Sequence, residues 1–568
     1  MKGLATARVL PELIAGCLRD LPWPKSMRWG YEKTRFVRPV HWIVALYGGK
    51  NLKMEFAGVR SGNKTFGHRF HGQGAIRVRD VVDYRDKLRD ARVIVDYNER
   101  RTAIADQLAR ARVEAGGELK EDAELLDHVT GLVEWPVVYL GTVPERFMGL
   151  PEAVLVTPMR EHQKYFCFVG ADGRLLPRFA AVGGVDATDA KIVTAGYERV
   201  LNARLADAKF FYDEDLKTPL PTLAEKLDQV VYHRKLGSYK DKVLRDQNLC
   251  RWLGGHLHVD QKTADTALRG LWLAKADLLT QMVGEFPELQ GVMGRDYAAR
   301  QGEPPEVANA IIEHYLPKSA ADTLPATDAG ALCAVADKMD AIVACSAAGL
   351  APTGAGDPYS LRRQALGIIQ ILLDRGWRVD LPAFAAAAAE ACSDRTKTDP
   401  AVVSTQVLTF FHARLANWLK QQGSPSDIVD AVLAVRFVDV VDVVDRVSAV
   451  EAFARTPEYE AFAAAFKRVA NIVGDHGPGD ILENLLSENT ETALYGAQNR
   501  IRDEVDALVR DGDYRSALDR IAAIRPDVDA FFDQTLVMHD DPKIRENRLN
   551  LLAQTAGLFS GIADFRRV

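Results

Sequence analysis

The stretch GLAPTGAGDPYSLRRQALG, Gly349 to Gly367, is where residue types and spacing come nearest to phosphate chemistry. A phosphate-binding loop needs G-x-x-x-x-G followed by Lys and Ser or Thr, so that backbone amides ring the phosphates while a lysine and a metal-bound hydroxyl neutralise them. Gly349 and Gly354 have the glycine spacing, but Ala355 and Gly356 stand where Lys and Ser/Thr belong. The dinucleotide pattern G-x-G-x-x-G fails as well: Gly354 and Gly356 are followed by Asp357, Pro358 and Tyr359, and the segment before them has helical periodicity. The residues instead spell a helix start, with Asp357 as N-cap, Pro358 at the first helical position and Leu361, Ile368, Ile369 and Leu372 on one apolar face. Arg362 and Arg363, beside that helix start, could hold a phosphate or pair with surface carboxylates.

Other chemistries meet the same test. A helical metal-dependent phosphohydrolase of the HD type needs a His, an adjacent His-Asp pair and a later Asp converging on metal. The His-Asp dipeptide of this chain, His539–Asp540, lies far from the central helical segments, and WLAKADLLTQ places Lys275 and Ala276 before Asp277. REHQKYF lacks the second His of a zinc-protease helix, and no Gly-x-Ser-x-Gly elbow exists. His128, His162 and His314 read as structural residues. Six cysteines without a Cys-x-x-Cys pair suggest neither a zinc knuckle nor a disulfide framework, and read as buried thiols. No metal site is expected.

The elements that would position these groups divide in two. From Met27 to Val78, β-branched and aromatic runs are broken by Gly, Asn and Ser turns, which predicts strands. NERRTAIADQLARARVEAGG predicts a helix closed by glycine, and KYFCFVGADGRLLPRFAAVGG a hairpin turning at GADG. After about Asp186 the periodicity is helical to the end, with Asp residues of AVLAVRFVDVVDVVDRVSAVEAF on a solvated face. The fold class is therefore an α+β N-terminal region followed by mostly all-α domains. With 568 residues, 47% of them hydrophobic, each domain can bury its own core. The apolar runs are too short or too interrupted for a bilayer, so a cytosolic protein with no membrane partner is expected. The formal charge of −6 argues against a protein that coats nucleic acid, and no DNA partner is expected. Residues 1–80 nevertheless hold fifteen Lys or Arg against five Asp or Glu, a local basic face for a polyanion.

Several fragments concern RNA charging. PKSMRWG and GHRFHG resemble pieces of the class I aminoacyl-tRNA synthetase signatures, both incomplete, and the class II arginine motifs are missing, so no complete adenylate-forming site is present. Longer phrases are more specific. PKSMRWG…RFVRPVHWIVALYGG, SGNKTFGHRF, VTGLVEWPVVYLG and TPMREHQKYFCFV are followed in order by LNARLADAKFFYDED, KADLLTQMVGEFPELQGVMGRDYA, LAPTGAGDPYSLRRQALGIIQILL, FKRVANI and FFDQTLVMHDDPKIRENRLNLL. Together they resemble the β subunit of bacterial heterotetrameric glycyl-tRNA synthetase. Members of that family begin with a segment of the type LLxEIGTEELP, which this chain lacks, so it is expected to start inside the family's first domain, N-terminally truncated.

The resemblance implies an organisation and a division of labour. Residues 1–215 would be an α+β region binding tRNA or the partner, and 216–376 an HD-like helical domain without metal ligands. Residues 377–445 would be a helical linker region, and 446–568 a helical anticodon-binding domain. The α subunit of an α2β2 assembly would make the glycyl-adenylate, using ATP and magnesium, while this chain binds tRNA(Gly) and carries no catalytic residue and no cofactor. Lys467, Arg468, Lys543, Arg545 and Arg548 are the candidates for the anticodon module, with at least part of the last helix's set reaching solvent and Leu549, Leu552, Phe559 and Ile562 forming its core stripe. Lys33, Arg35, Arg38, Lys64 and Arg69, with Arg362 and Arg363, are candidates for tRNA or partner contact. The other classes left open are an HD-type metal-dependent nucleotide phosphohydrolase and an inactive RNA-binding scaffold.

Overall fold

In the computed structural model, residues 4–352, 354, 356–474 and 476–567 are described. Ala355, one of the two positions that break the phosphate-loop pattern, lies outside them. The chain forms two compact units: residues up to Asp215 with Glu285–Leu289, and Leu216–Gly284 with Gln290 onward.

The first unit is α+β. Its main sheet is antiparallel, in the order β1 (Glu118–Leu119), β3 (Phe166–Val169), β4 (Leu175–Gly183), β2 (Val137–Thr142). The expected hairpin is β3–β4, with Phe166 opposite Ala180, the Gly170 amide donating to the Arg174 carbonyl over 2.8 Å, and Gly173 at φ 75° where a Cβ would be strained. Helix α1 (Tyr97–Ala115) starts at Asp96, whose carboxylate accepts from the Glu99 amide, and stops at left-handed Gly116. Its Ile104, Leu108 and Ala111, spaced four and three apart, share a core with Leu125 and Val129 of α2 (Ala123–Thr130) and with Phe166, Phe168 and Ala180. The strand-like text from Met27 to Val78 becomes strands of only two to four residues, such as Val59–Gly62 and Lys64–Phe66. Their core is small, Met54, Phe56 and Ala57 with half-buried Trp29 and Phe36, so large side chains are left facing water.

The second unit is helical apart from the short hairpin Val231–His233/Gly237–Ser238. Tyr239–His256 (α3) and Leu361–Arg375 (α5) pack on Asp328–Ala347 (α4), which is apolar on nearly every side and buries 18 of its 20 residues. Val440–Ala454 (α6), Tyr459–Val473 (α7), Asn489–Asp511 (α8), Arg525–Gln534 (α9) and Pro542–Gly557 (α10) complete the C-terminal part.

Three local expectations need correction. Helix α5 begins at Leu361, not Pro358: Asp357 accepts the amides of Leu361 and Arg362 (2.8 and 3.0 Å), so residues 357–360 form a turn ahead of the helix. Its face is as expected, with Leu361, Ile368, Ile369 and Leu372 buried. The Asp residues of α6 do not all face water, because buried Asp442 accepts from Arg446, Arg436 and the Tyr514 hydroxyl. Fully buried Arg446 also donates to the carbonyls of Val432 and Ile562 and thereby ties three segments together. Of the six cysteines, Cys17 is exposed and the other five are buried. Among the described residues no helix is long and apolar enough to cross a membrane.

Candidate nucleic-acid interface

Lys33, Arg35, Arg38, Lys64 and Arg69 all lie exposed. Strand alternation explains Lys64: Thr65 turns inward, so Lys64 and Phe66 turn out. Arg35 donates to the Ser26 hydroxyl (3.1 Å), Arg38 to the Val37 carbonyl (3.4 Å), and the Arg69 guanidinium lies 6.0 Å from the Phe70 ring centre. Among the described residues none of the five pairs with a carboxylate, although exposed acids such as Glu55 pair elsewhere. Tyr31, Trp42, Phe66 and Phe70 are exposed in the same segment, with Trp42 and Phe66 edge to face at 4.8 Å. Uncompensated cations meet phosphates, and exposed rings stack on unpaired bases or pack against a protein partner.

The C-terminal set does not behave as a block. Lys467 and Arg468 are exposed on α7, with the Arg468 guanidinium 4.2 Å from the ring centre of Phe532 on α9. Lys543 is exposed at the start of α10, and half-buried Arg545 donates to the His539 carbonyl (3.2 Å). Arg548 must be withdrawn as a solvent-facing RNA contact. It is 2% exposed, its Nε donates to Glu491 (2.6 Å), and its other nitrogens donate to the Leu536 carbonyl (2.7 Å) and the Ser487 hydroxyl (3.2 Å). Burial would raise the Glu491 pKa, but Arg548 and nearby amides hold it below the ordinary glutamate value, so the pair is ionic. The helical period brings this about: Lys543 and Arg548 are five residues apart, so they point to different faces. In the core stripe Leu549 is only half buried, while Phe559 and Ile562 are buried beyond the end of α10 at Gly557.

In the middle of the helical unit, Arg362 donates to the Gly354 carbonyl and exposed Arg363 to the Ser360 hydroxyl. Deeper lies a charged network on α3 and α4. The Lys242 ammonium sits 3.0 Å from Asp246, 3.2 Å from Asp337 and 3.2 Å from Asp340, and Arg245 grips Asp340 with two bonds of 2.6 and 3.1 Å. Lys275, two residues before Asp277, reaches Asp337 at 3.1 Å. Burial alone would pull the Lys242 pKa down, but the three carboxylates hold it well above the ordinary lysine value. Burial likewise opposes ionisation of Asp337, which Lys242 and Lys275 nonetheless hold well below the usual carboxylate range. Ammonium groups fill the place between carboxylates, and among the described residues no group of three or more His, Cys, Asp or Glu is arranged to hold a metal ion. Fully buried His314 hydrogen-bonds through Nδ1 to the Ile311 carbonyl, and burial lowers its pKa and keeps it neutral.

The family model for the glycyl-tRNA synthetase beta subunit matches residues 1–434. A glycine–tRNA ligase beta subunit of Citrifermentans bemidjiense is 42% identical over 566 residues, covering the whole of this chain and 82% of that protein. Those of Desulforamulus reducens and Myxococcus xanthus are 43% and 42% identical, with the same coverage. The chain belongs to the glycyl-tRNA synthetase beta-subunit family.

Within this family member, residue counting found the cations but missed their setting. The exposed aromatics of residues 31–70 could have been suspected from a segment that is rich in rings and has too few apolar neighbours to bury them. Leu536 and Met538, 69% and 61% exposed in the turn before α10, carried no signal of their own. Arg548 fastens that turn through its bond to the Leu536 carbonyl.

Proposed function

We propose that this chain is the tRNA-holding subunit of a glycine–tRNA ligase, acting in the cytosol in an α2β2 assembly. The α subunit would make glycyl-adenylate from glycine and ATP with magnesium. This chain would then hold tRNA(Gly) so that its terminal ribose hydroxyl meets the adenylate with little orientational freedom left to lose. The observation that carries the reading is the exposed cation set Lys33, Arg35, Arg38, Lys64 and Arg69, without carboxylate partners among the described residues and interleaved with Tyr31, Trp42, Phe66 and Phe70. Phosphate contacts there would set register. Lys467, Arg468, Lys543 and Arg545, with Leu536 and Met538 as apolar platforms, would meet unstacked bases of the anticodon loop.

The test is reconstitution: the chain mixed with its cognate α subunit is expected to support ATP-dependent glycylation of tRNA that neither chain supports alone. A folded chain that co-purifies with the α subunit yet adds nothing to glycylation would overturn the reading. Lys543→Ala combined with Arg545→Ala is expected to weaken tRNA binding by roughly 1–3 kcal/mol and to flatten its salt dependence.

A further inference from the structure

The helical unit has an open cavity of about 350 Å3 that the proposed function leaves unassigned. Lys275, Lys318, Arg363 and three tyrosines, Tyr232, Tyr239 and Tyr315, line it, and among the described residues Asp337 is the carboxylate on its wall. The cations of its wall divide into paired and unpaired. Lys242, Arg245 and Lys275 are matched by Asp246, Asp337 and Asp340. Asp277 accepts the amides of Gly291 (2.6 Å) and Gly294 (3.0 Å) through one oxygen. Among the described residues Lys338, Lys318 and Arg363 form no ion pair, and all three line the cavity.

Lys338 is 4% exposed and held only by the carbonyls of His314 (3.1 Å) and Leu316 (2.6 Å). Burial lowers its pKa to about 8, with Asp337 opposing the shift and Lys275 and Lys242 adding to it. Lys318 and Arg363 are exposed, and among the described residues neither forms an ion pair. The carboxylates close by are already engaged: Asp322 takes the Lys318 amide (2.7 Å), and Asp357 takes those of Leu361 and Arg362. Ser360, which also lines the cavity, is a non-glycine residue at φ 55° and ψ 33°. Such a conformation costs about 1–3 kcal/mol and persists where the surroundings impose it. Its hydroxyl accepts a hydrogen bond from Arg363, which lines the cavity beside it.

We propose that this cavity binds a mononucleotide, the phosphate meeting Lys318 and Arg363 and the base lying against Tyr232 and Tyr239. Two sources supply that chemistry, a free nucleotide and the 5′-phosphorylated end of an RNA. The tyrosines favour a flat ring over a bare anion, since Tyr232 and Tyr239 meet edge to face at 5.3 Å and leave an aromatic wall. The cavity volume lies at the lower end of the ~300–1,000 Å3 typical of small-ligand sites.

Calorimetric titration of the full chain without its partner subunit tests this, using AMP, adenosine, inorganic phosphate, and one short RNA with a 5′-phosphate or a 5′-hydroxyl. AMP is expected to bind at one site per chain, with adenosine and inorganic phosphate each at least ~tenfold weaker, because one lacks the charge-assisted bonds and the other the stacking. Lys318→Ala and Arg363→Ala, surface changes that should leave the melting temperature in place, are each expected to weaken AMP binding about fivefold or more. Preference for the phosphorylated RNA over AMP would assign the site to an RNA end, and the reverse to a free nucleotide; either supports the cavity. No AMP binding at millimolar concentration, equal affinity for adenosine or for phosphate, or binding indifferent to both substitutions overturns it.

Discussion

The cations of residues 33–69 and those at the centre of the helical unit carry the same charge in opposite company. Lys242, Arg245 and Lys275 are within hydrogen-bond reach of Asp246, Asp337 and Asp340, sealed from water. Lys33, Arg35, Arg38, Lys64 and Arg69 face water, and among the described residues none has a carboxylate partner. A buried cation is costly to separate from its partners but adds little net stability over an apolar core, while an exposed unpaired one adds little to the fold and keeps its field for a ligand. Substitutions should therefore divide by region: fold stability in the one, binding in the other.

The largest effect is expected at Lys242. Replacing it with Met leaves Asp246, Asp337 and Asp340 facing one another with less countercharge, and unfolding by denaturant should show a loss toward the upper end of the ~3–5 kcal/mol seen when one member of a buried pair is removed. Arg548→Ala tests whether the same logic extends to the C-terminal part, since it leaves Glu491, fully buried, without its cation. Its loss should sit toward the lower end of that range, because Glu491 keeps the Glu488 amide (2.6 Å) and the Ser487 hydroxyl (3.2 Å). If Arg548→Ala instead left stability intact and weakened tRNA binding alone, Arg548 would return to the interface.

Lys338 sharpens the comparison through pH. Its folded-state pKa, about 8, lies below that of an unfolded lysine, so between about pH 8 and ~10.4 the unfolded chain binds more protons than the native one. Stability from this group therefore rises with pH across that window, by on the order of 3 kcal/mol in total, and its cost is fully present below pH 8. Wild type should gain on Lys338→Met as unfolding is measured from pH 7.5 to pH 10. A constant difference would mean that the nearby carboxylates already neutralise Lys338.

The fold was legible where one periodicity ruled a long segment. Helix α1 and the GADG hairpin could be read directly because capping residues and alternation agreed with the tertiary contacts. The helix boundary at Leu361 could not, because Asp357 caps from a turn away and the outcome depends on its side-chain geometry. Asp442 and Arg548 show the deeper limit. Each looked like a surface charge on an amphipathic helix, and each is buried because a distant residue, Arg446 and Tyr514 for one and Glu491 for the other, supplies its partner. Spacing reveals which side of its own helix a charge takes, not whether another helix covers that side with the opposite charge.

The smallest expected effect on the fold, and the one that decides what the N-terminal face is for, comes from reversing two of its charges. Arg35 is anchored only to Ser26 and Lys64 stands out from a three-residue strand, so Arg35→Glu with Lys64→Glu should shift unfolding by less than ~0.5 kcal/mol each. The same change replaces two attractive charges with two repulsive ones where a polyanion would pass. If the face meets RNA, tRNA affinity should fall by roughly 1–3 kcal/mol, and because fewer counterions are released on binding, the salt dependence of affinity should become shallower by about one per lost phosphate contact. If the face meets the partner subunit instead, tRNA affinity of the isolated chain and its salt slope stay put while association with the α subunit weakens. A variant that keeps both, or one that loses stability as Lys242→Met does, would break the division between cations that hold the molecule and cations that it holds out.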